Sequence, residues 1–539
     1  MTRPDRMINY AETNAAWSHI VDATQQSNRT FIENCSTLRQ CQNDLLLEII
    51  RSNINTSAGR QYNFKEILNA ADPLLQYQQN VPRTTYDDLT SLMQSQMAGS
   101  NALLADEILF YERTGGSSGG VKYIPFTRDS LNLLHCAVNP WLHDLITSRP
   151  GITQGCAYWS ISQTLHTPGQ SSDGTRLGGI SDLEFLPENI QQAFAATMTD
   201  PTLILTAADY SDWQRRTLLT LVLHKNLTLI SIWSPSFLTT LLQAFDSHKS
   251  WIFAALENPA DHDLDQAELL EDENRNLEAI KRLRAATTTA GIDCRILWPN
   301  LDTISCWTHG PASGPVAELR QWFPQTHIQP KGLLATEGAV SIPLNAASYP
   351  VLAFGSGFFE FLDAKGQTVL PEDLHTGSQY RVLITNASGL YRYDIGDQIR
   401  MQGWFNGTPM IEFTGRSSNT SDLCGEKLEE AFINQCINDC RTDQRTIAML
   451  VPQDNHYCLL SDGSEELTVE LDHKLCSNPQ YKYARDLGQL GPLRFKQVKS
   501  LSIHHLEWRK TRGQTPGDIK PVALCTDPDF IDYLDSITA

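Results

Sequence analysis

Residues 112–127, ERTGGSSGGVKYIPFT, place four glycines, two serines and a lysine directly after a hydrophobic stretch. Glycine leaves backbone N–H groups unobstructed, serine adds hydroxyl donors and Lys122 adds a cation, and this combination suits a phosphate group. A flexible turn would use the same residue types. The spacing departs from the P-loop, which would put the lysine at position 121, and no Rossmann-type acidic residue follows. The stretch therefore predicts either a turn or the phosphate loop of another nucleotide-binding fold.

The composition is that of an ordinary globular protein. The chain has 539 residues, 41% of them hydrophobic, and 62 acidic against 42 basic residues give a net charge of −20. Because no run of clustered Lys and Arg interrupts this charge, nucleic acid is not an expected partner. No apolar run reaches membrane-spanning length and the N-terminus has no signal core, so we expect a cytoplasmic protein without a membrane partner. The twelve cysteines are scattered and are expected to be free thiols. The sequence does not indicate an oligomeric state.

Hydrophobic periodicity predicts an α/β fold in two domains. Residues 8–100 are expected to be mostly helical, and EILFYER, Glu107–Arg113, is the first expected strand. Helical segments then alternate with short apolar strands such as LTLISIW and CRILWP, a pattern typical of layered sheets. Strands dominate from 350 to 415, which predicts a β-rich subdomain. The segment GEKLEEAFINQCIND opens a smaller α+β unit, so we predict an N-terminal domain 1–415 and a C-terminal domain 416–539.

Four separated motifs resemble those of the acyl-adenylate-forming (luciferase-like) superfamily. TGGSSGGVK is similar to its phosphate loop T-S-G-T-T-G-x-P-K, and LLATEGAVSIPL is similar to its Y-G-x-T-E element. YRYDIGDQIR resembles its Y-x-x-G-D element, and FTGRSSNTSDLCGEKLEE resembles its hinge and the start of its small C-terminal domain. Motifs that agree in both order and spacing are specific. The resemblance implies a large N-terminal adenylate-forming domain followed by a small mobile one.

Further stretches narrow the resemblance to one family. LWPNLDTISCWTHG, KGLLATEG, SGFFEF and NPQYKYARDLGQLGPLRF resemble the auxin-responsive acyl acid amido synthetases of plants and bacteria. The similarity extends over about residues 100–521. It implies that the chain uses ATP and Mg²⁺ to activate a small carboxylic acid as acyl-AMP. The acyl group would then pass to an amine, with an amino acid as the expected acceptor.

The resemblance assigns the phosphates of ATP to the glycine-rich loop. The residues expected to hold the β- and γ-phosphates are Thr114, Ser117, Ser118 and Lys122. Positioning and cationic donors supply most of the catalysis in such a reaction, because a carboxylate is already ionised at neutral pH. For Lys122 alone, a solvated lysine at the start of a strand is the alternative interpretation.

Thr336 and Glu337 follow the apolar run KGLLA and are expected at the end of a strand, where α/β sheets place ligands. The resemblance implies that Thr336 bonds the α-phosphate. It also implies that Glu337 is catalytic and coordinates Mg²⁺ through a carboxylate oxygen. A salt-bridged surface glutamate is the alternative for Glu337.

The strand region before the domain junction carries the remaining nucleotide contacts. Asp397, after an expected sharp turn at Gly396, is predicted to accept hydrogen bonds from both ribose hydroxyls. Tyr393 is expected to pack beside the nucleotide, with a place in the core as the alternative. Arg416 is predicted to reach the ribose or the α-phosphate. Residues 415–417 are expected to act as the hinge.

The C-terminal domain is expected to contribute a catalytic lysine. In the superfamily a lysine of this domain reaches the acyl carboxylate and the α-phosphate, and TRGQTPGDIKP resembles the region that carries it. Lys520 is therefore the candidate and Lys510 its competitor. The segment Cys156–Leu186 is either a lining of the acid pocket or a surface loop. No histidine is assigned as a base.

Two other functions fit the same motifs. An acyl-CoA ligase would share the adenylation step and use a thiol acceptor. The charged tail of CoA would then lie near Arg509, Lys510 and Arg512, although a solvated surface is the simpler interpretation of these three residues. A nucleotide-dependent binding protein that has lost catalysis would keep the fold. The presence of Glu337 and Asp397 argues against this last alternative.

Overall fold

A computed structural model describes residues 10–115, 121–160, 169–262, 264, 268–288, 291–309, 312–416, 419–424, 426–486, 489–514 and 519–538. Its helices and strands confirm the α/β class. The chain before the first strand is helical, as expected. Its helices are α1 (Tyr10–Asn34), α2 (Leu38–Ser52), α3 (Ser57–Gln61), α4 (Phe64–Leu68), α5 (Pro73–Asn80) and α6 (Tyr86–Met97).

Helices and short strands alternate between residues 110 and 330. In chain order they are β1 (Phe110–Gly115), β2 (Val121–Phe126), α7 (Arg128–Ser148), β3 (Cys156–Trp159), β4 (Gly169–Gln170), β5 (Arg176–Leu177), α8 (Glu188–Thr197), α9 (Thr202–Leu205), α10 (Tyr210–Leu223), β6 (Leu227–Ser231), α11 (Pro235–Gln243), α12 (Phe245–Glu257), α13 (Glu273–Ala286), β7 (Thr287–Thr288), β8 (Gly291–Ile292), α14 (Cys294–Leu297), β9 (Thr303–Cys306), α15 (Ser313–Trp322) and β10 (His327–Pro330). Four of the strands form a parallel sheet in the order β10-β9-β6-β3. Residues that follow these strands therefore meet at one edge, the carboxyl edge of the sheet.

The glycine-rich loop joins the two strands of a hairpin. β1 and β2 pair antiparallel, with Thr114 opposite Lys122 and Gly115 opposite Val121. The first strand begins at Phe110, three residues later than expected. β5 and β4 extend this sheet in the order β2-β1-β5-β4.

The strand expected at CRILWP is wrong, because Cys294–Leu297 forms the short helix α14. Asp293 caps it by accepting a hydrogen bond from the backbone N–H of Arg295 at 3.0 Å. Cys294 and Leu297 are buried whereas Arg295 and Ile296 are exposed. This three-residue spacing is that of one helical turn, so the capping aspartate and the burial pattern override the apolar run.

Strands dominate from residue 334 to the domain junction, as expected. They are β11 (Leu334–Ala335), β12 (Gly338–Ala339), β13 (Ser341–Ile342), β14 (Val351–Leu352), β15 (Phe358–Leu362), β16 (Thr368–Val369), β17 (Gln379–Thr385), β18 (Tyr393–Phe405) and β19 (Thr408–Arg416). All but β11 and β12 belong to one seven-stranded sheet, in the order β13-β14-β19-β18-β17-β15-β16.

The sharp turn expected at Gly396 is wrong, because Gly396 lies inside β18. The pairing of β17 with β18 shifts between Arg381 and Leu383, which face Gln398 and Asp394 respectively. Gly396 occupies the resulting bulge with φ of 76°, a left-handed value that glycine adopts at little cost. The chain bends within a strand instead of reversing.

The C-terminal region forms a smaller α+β unit. Its elements are β20 (Thr420–Ser421), β21 (Leu428–Glu429), α16 (Glu430–Cys440), β22 (Ala448–Gln453), β23 (His456–Ser461), α17 (Glu466–Leu475), α18 (Pro479–Asp486), β24 (Arg494–Gln497), α19 (Leu501–Thr511) and α20 (Asp529–Thr538). Buried residues between 428 and 534 pack into clusters of their own. The boundary at 415/416 stays a prediction. Arg441 links this region to α15 by donating a hydrogen bond from Nη2 to Ser313 Oγ at 2.9 Å.

All twelve cysteines are free thiols, as expected. Cys436 and Cys440 are buried in α16. None of the helices α1–α20 carries an apolar stretch long enough to cross a membrane.

A buried ion pair ties the N-terminal helices to the seven-stranded sheet. Arg392, between β17 and β18, donates from Nε to Glu360 Oε2 at 2.9 Å and from Nη2 to Oε1 at 3.1 Å. Its Nη1 donates to the carbonyl oxygens of Gln78 and Val81 at 2.8 and 2.9 Å. The side chains of Arg392 and Glu360 are only 6% and 1% exposed. Two buried charges are tolerated here because their hydrogen bonds replace those lost to water.

Glu360→Ala leaves the buried Arg392 guanidinium without its carboxylate, and we expect the free energy of unfolding to fall by about 3 to 5 kcal/mol. Glu188→Ala is the matched control, because it breaks a pair with Arg128 whose side chains are 80% and 71% exposed. We expect that change to cost less than about 1 kcal/mol. Urea unfolding measures both variants. Losses of equal size would contradict the role given to the buried pair.

Candidate active site

Thr336 and Glu337 form the two-residue turn between β11 and β12, where Ala335 pairs with Gly338. The side chain of Glu337 is partly exposed and makes no ion pair within the described part of the chain. Its backbone carbonyl accepts a hydrogen bond from Asn386 Nδ2 at 2.5 Å. Since Asn386 directly follows β17, this bond anchors the turn to the seven-stranded sheet. The ion pair of the alternative interpretation is not found among these residues.

Asp397 and Tyr393 lie on β18, the strand next to β17. Asp397 is buried and faces Arg416 of β19 in the strand register. Tyr393 pairs with Ile384 and is 1% exposed, inside the largest hydrophobic cluster. This burial favours the core alternative for Tyr393, and its expected nucleotide contact stays a prediction. For Arg416 the structure describes only the backbone.

The hairpin β1–β2 reaches the same region through one short segment, Thr84–Tyr86. Thr84 N donates to Arg392 O at 3.1 Å and Asp394 N donates to Thr84 O at 2.8 Å. Two residues on, the Tyr86 hydroxyl accepts from Tyr123 N at 2.9 Å. The ammonium of Lys122 lies 5.7 Å from the centroid of the Tyr86 ring. A continuous set of contacts thus joins β18 to the base of the glycine-rich loop.

Parts of the predicted phosphate loop lie beyond what the structure describes. Ser117 and Ser118 are outside the described residues. Thr114 is placed by its backbone alone, opposite Lys122 in the hairpin. Lys122 itself is partly exposed, as a phosphate ligand must be.

The donor set suits a nucleotide and its magnesium ion. Glu337 offers an accessible hard carboxylate, and Lys122 offers a cation for phosphate. Within the described ranges no three His, Cys, Asp or Glu side chains cluster closely enough to hold a metal. A magnesium ion held at Glu337 would therefore take its other ligands from phosphate oxygens and water, which is how proteins usually hold it.

Lys520, and not Lys510, lies at the carboxyl edge of the parallel sheet. The ammonium of Lys520 is 5.0 Å from the centroid of the Trp307 ring, and Trp307 directly follows β9. Lys510 is on α19, where it donates to Glu507 at 2.9 Å in an i,i+3 ion pair. The geometry favours Lys520 as the lysine of the C-terminal region.

Tryptophans line the carboxyl edge. Trp159 ends β3, Trp233 lies just past β6, and Trp307 follows β9. The ring centroids of Trp233 and Trp307 are 5.7 Å apart, and Trp141 of α7 lies 6.3 Å from Trp159. Trp159, Trp233 and Trp307 are partly exposed, so this group is open at the strand ends. The segment Cys156–Leu186 contributes Trp159 to it, while its residues 176–177 pair with β1 and residues 161–168 lie outside the described chain.

Lys331 is the residue that sequence reasoning missed. It directly follows β10, and its ammonium lies 4.3 Å from the Trp233 ring centroid, 5.5 Å from that of Trp141 and 5.9 Å from that of Trp159. It donates to Ser231 Oγ at 2.9 Å and is 6% exposed. A lysine directly after an apolar parallel strand was the available signal, because such strand ends carry ligand contacts.

Burial lowers the pKa of Lys331 to about 8, while Cys306 and Asp182 act in the opposite direction. Burial also raises the pKa of the Cys306 thiol to about 12, so this neighbour is neutral at pH 7. Asp182 is exposed to solvent. Lys331 is therefore a charged group at pH 7 that is held mainly by aromatic faces and one hydroxyl.

The fold is shared with two solved enzyme structures. A solved structure of 2-hydroxyisobutyryl-CoA ligase in the postadenylation state matches with a TM-score of 0.51 at 12% identity, over 93% of this chain and 90% of that one. A solved structure of the acyl acid amido synthetase AtGH3.15 in complex with 2,4-DB matches with a TM-score of 0.80 at 18% identity, over 95% of this chain and 96% of that one. These likenesses concern the fold.

The chain belongs to the GH3 family. Residues 28–328 match the GH3 family N-terminal domain and residues 350–416 match the GH3 family central domain. One relative, the indole-3-acetic acid-amido synthetase GH3.8 of Oryza sativa subsp. indica, is 23% identical over 94% of this chain and 91% of its own length. The family resemblance read from the motifs is confirmed.

The depressed pKa of Lys331 predicts a dependence of stability on pH. Between about pH 8 and pH 10 the unfolded chain holds a proton on Lys331 that the folded chain has released, so folding becomes more favourable as the pH rises. Relative to Lys331→Met, the wild-type free energy of unfolding should increase by about 2 to 3 kcal/mol between pH 7 and pH 10. Urea unfolding at each pH measures it.

Lys365→Met, at an exposed lysine, is the control and should follow the wild-type curve at every pH. A difference between wild type and Lys331→Met that stays constant with pH would contradict the burial of a titrating ammonium.

Proposed function

We propose that this chain activates a carboxylic acid with ATP as acyl-AMP and then transfers the acyl group to an amine, in particular to an amino acid. One observation carries the proposal: the Thr84–Tyr86 segment and Asn386 connect the loop of Lys122, the Glu337 turn and the Asp397 strand around the junction of β17 and β18. These are three of the motifs that resemble the ATP contacts of the superfamily. Membership of the GH3 family and the name of the rice relative support the same activity.

In the first step the ionised acid attacks the α-phosphorus and pyrophosphate leaves. Lys122 and the backbone N–H groups of the glycine-rich loop hold the β- and γ-phosphates, and Thr336 bonds the α-phosphate. Asp397 accepts hydrogen bonds from the ribose hydroxyls, and Arg416 lies opposite it in the strand register. Lys520 balances the charge that develops between the acid and the α-phosphate. Magnesium bound at Glu337 would neutralise phosphate oxygens.

In the second step the amine attacks the acyl carbon and AMP leaves. Relatives in the superfamily expose the acyl-adenylate to the acceptor by swinging the C-terminal domain, and we place that hinge at Gly415. A Cβ at Gly415 would lie 3.2 Å from the backbone of Ala431, with φ of 155°. A side chain at this position would crowd α16 and would need a backbone conformation that residues other than glycine rarely adopt. The domains 1–415 and 416–539 follow from this placement.

The acyl-CoA ligase is the weaker candidate, because the cluster that would receive the CoA tail is already engaged. Arg512 pairs with Asp529 at 2.7 Å and with Asp527 at 3.3 Å. Lys510 pairs with Glu507, and Arg509 donates to Gln514 Oε1 at 2.5 Å. Incubation with ATP and an acid library, followed by either amino acids or CoA and mass spectrometry, separates amide from thioester products.

Glu337→Gln and Asp397→Asn should each reduce acyl-hydroxamate formation with ATP and the best acid by about 100-fold, because each removes a charge that positions the nucleotide or its metal. Trapping with hydroxylamine measures this half-reaction alone. Glu66→Gln, at an exposed site on α4, is the matched control. Activity close to wild type in either site variant, with unchanged unfolding temperature, would remove that residue from the site.

Lys520→Ala should lower the rate of hydroxamate formation by about 100-fold through loss of charge stabilisation in the transition state. Lys510→Ala, whose partner Glu507 lies on the same helix, should change it by less than threefold, about 0.6 kcal/mol. The opposite ranking would assign the catalytic role to Lys510.

A further inference from the structure

The side chain of Lys331 lies across the carboxyl edge of the parallel sheet. Lys331 follows β10, yet its ammonium bonds Ser231 at the end of β6, two strands away in the order β10-β9-β6-β3. It also approaches the ring of Trp159 at the end of β3, the far strand of the sheet. The cation therefore occupies the centre of the edge where sheets of this type bind their ligands.

No carboxylate of the described residues forms an ion pair with this cation, and the exposed Asp182 acts on it only through the longer-range charge interaction. The only hydrogen bond of Lys331 within those residues goes to the neutral Ser231 hydroxyl, which leaves two of its three N–H groups for another acceptor. Aromatic faces attract a cation but do not accept strong hydrogen bonds. A second polar group points to the same conclusion, because the buried indole Nε1 of Trp159 has no hydrogen-bond partner among the residues that the structure describes. A buried charge is costly unless it is paired, so an incoming anion would complete this site.

We propose that Lys331, held by Trp141, Trp159, Trp233 and Ser231, binds a substrate carboxylate that does not react. The inference rests on the proposed function and adds the substrate class. The reacting carboxylate is the one assigned to Lys520. The ammonium of Lys520 lies near the Trp307 ring and that of Lys331 near the Trp233 ring, and these two rings are neighbours at an interplanar angle of 38°. Lys331 and Lys520 thus lie beside neighbouring rings of the same aromatic group, which places the site for the second carboxylate next to that for the reacting one.

Two substrates of this enzyme class can carry such a group. The acid can bear a second carboxylate, or the acceptor can be an amino acid whose own α-carboxylate binds at Lys331. Both present the same chemistry to the lysine. The two half-reactions tell them apart, because only the acid is present during adenylation.

The first arm measures adenylation by hydroxylamine trapping with matched pairs of acids. Hexanoate is compared with adipate, cinnamate with 4-carboxycinnamate, and benzoate with terephthalate. If the acid supplies the carboxylate, wild type prefers the diacid of a pair in kcat/KM, and Lys331→Met lowers that preference by about 10- to 100-fold. Ser231→Ala, which removes only the hydroxyl that orients the lysine, lowers it by a smaller factor.

The second arm measures amide formation with matched acceptors, phenylalanine against phenethylamine and alanine against ethylamine. If the acceptor supplies the carboxylate, Lys331→Met raises the KM for the amino acid. The ratio of the hydroxamate rates for the diacid and the monoacid of each pair in the first arm then stays that of wild type. Lys365→Met is the control in both arms. The inference is overturned if Lys331→Met folds and both its preference for the diacid and its preference for the amino acid stay within about twofold of wild type.

A binding measurement keeps the test independent of turnover. Three tryptophans surround Lys331, so their fluorescence reports the site directly. Titration of wild type with terephthalate and with phenylalanine should give saturable quenching by at least one, weakened about 10-fold in Lys331→Met and weakened also in Ser231→Ala. Absence of binding of either compound to wild type overturns the inference. Absence of any hydroxamate or amide product from wild type instead overturns the proposed function.

Discussion

The buried pair of Arg392 and Glu360 is the contact on which the proposed nucleotide site depends. Arg392 binds Glu360 of β15 and two carbonyl oxygens near the end of α5. Its own carbonyl oxygen accepts a hydrogen bond from the backbone N–H of Thr84. From Thr84 the chain continues to Tyr86, which holds the base of the β1–β2 hairpin. The pair thus sets the distance between the sheet that carries Asp397 and the hairpin that carries Lys122. Helices distant in sequence are needed for this, which explains why the N-terminal helical region is part of the fold.

The proposed acid site is built on a different constraint, the common edge of four parallel strands. Such an edge collects the residues that follow each strand, and here they are mostly indole rings with one lysine among them. Lys331 lowers the stability of the folded chain at neutral pH, because its charged form is disfavoured by burial. A protein keeps such a cost where function requires it. Lys520 approaches the same edge from the C-terminal region.

Much of the fold was predictable because local patterns and motif order agreed with the tertiary structure. The helical start, the strand before the glycine-rich loop and the β-rich region from 350 to 415 follow from periodicity. The prediction of a strand at CRILWP was wrong because a short apolar run has no period of its own, and Asp293 caps these residues as a helix. The prediction of a sharp turn at Gly396 was wrong because a glycine with positive φ can occupy a bulge as well as a turn. For Tyr393 the structure favours the core alternative, because a motif places a residue near a site without saying which face of its strand is buried.

The position of Lys331 after an apolar strand was a signal in the sequence, but its aromatic partners could not be predicted, since they come from α7 and from two other strand ends that meet only in the folded sheet. The proposed function requires that separate motifs contact one ATP molecule. A crystal structure with a non-hydrolysable ATP analogue and Mg²⁺ tests this most directly. We predict phosphates within the loop 114–122, the metal at Glu337 and the ribose hydroxyls at Asp397. A nucleotide bound elsewhere, with these residues out of its reach, would contradict the account.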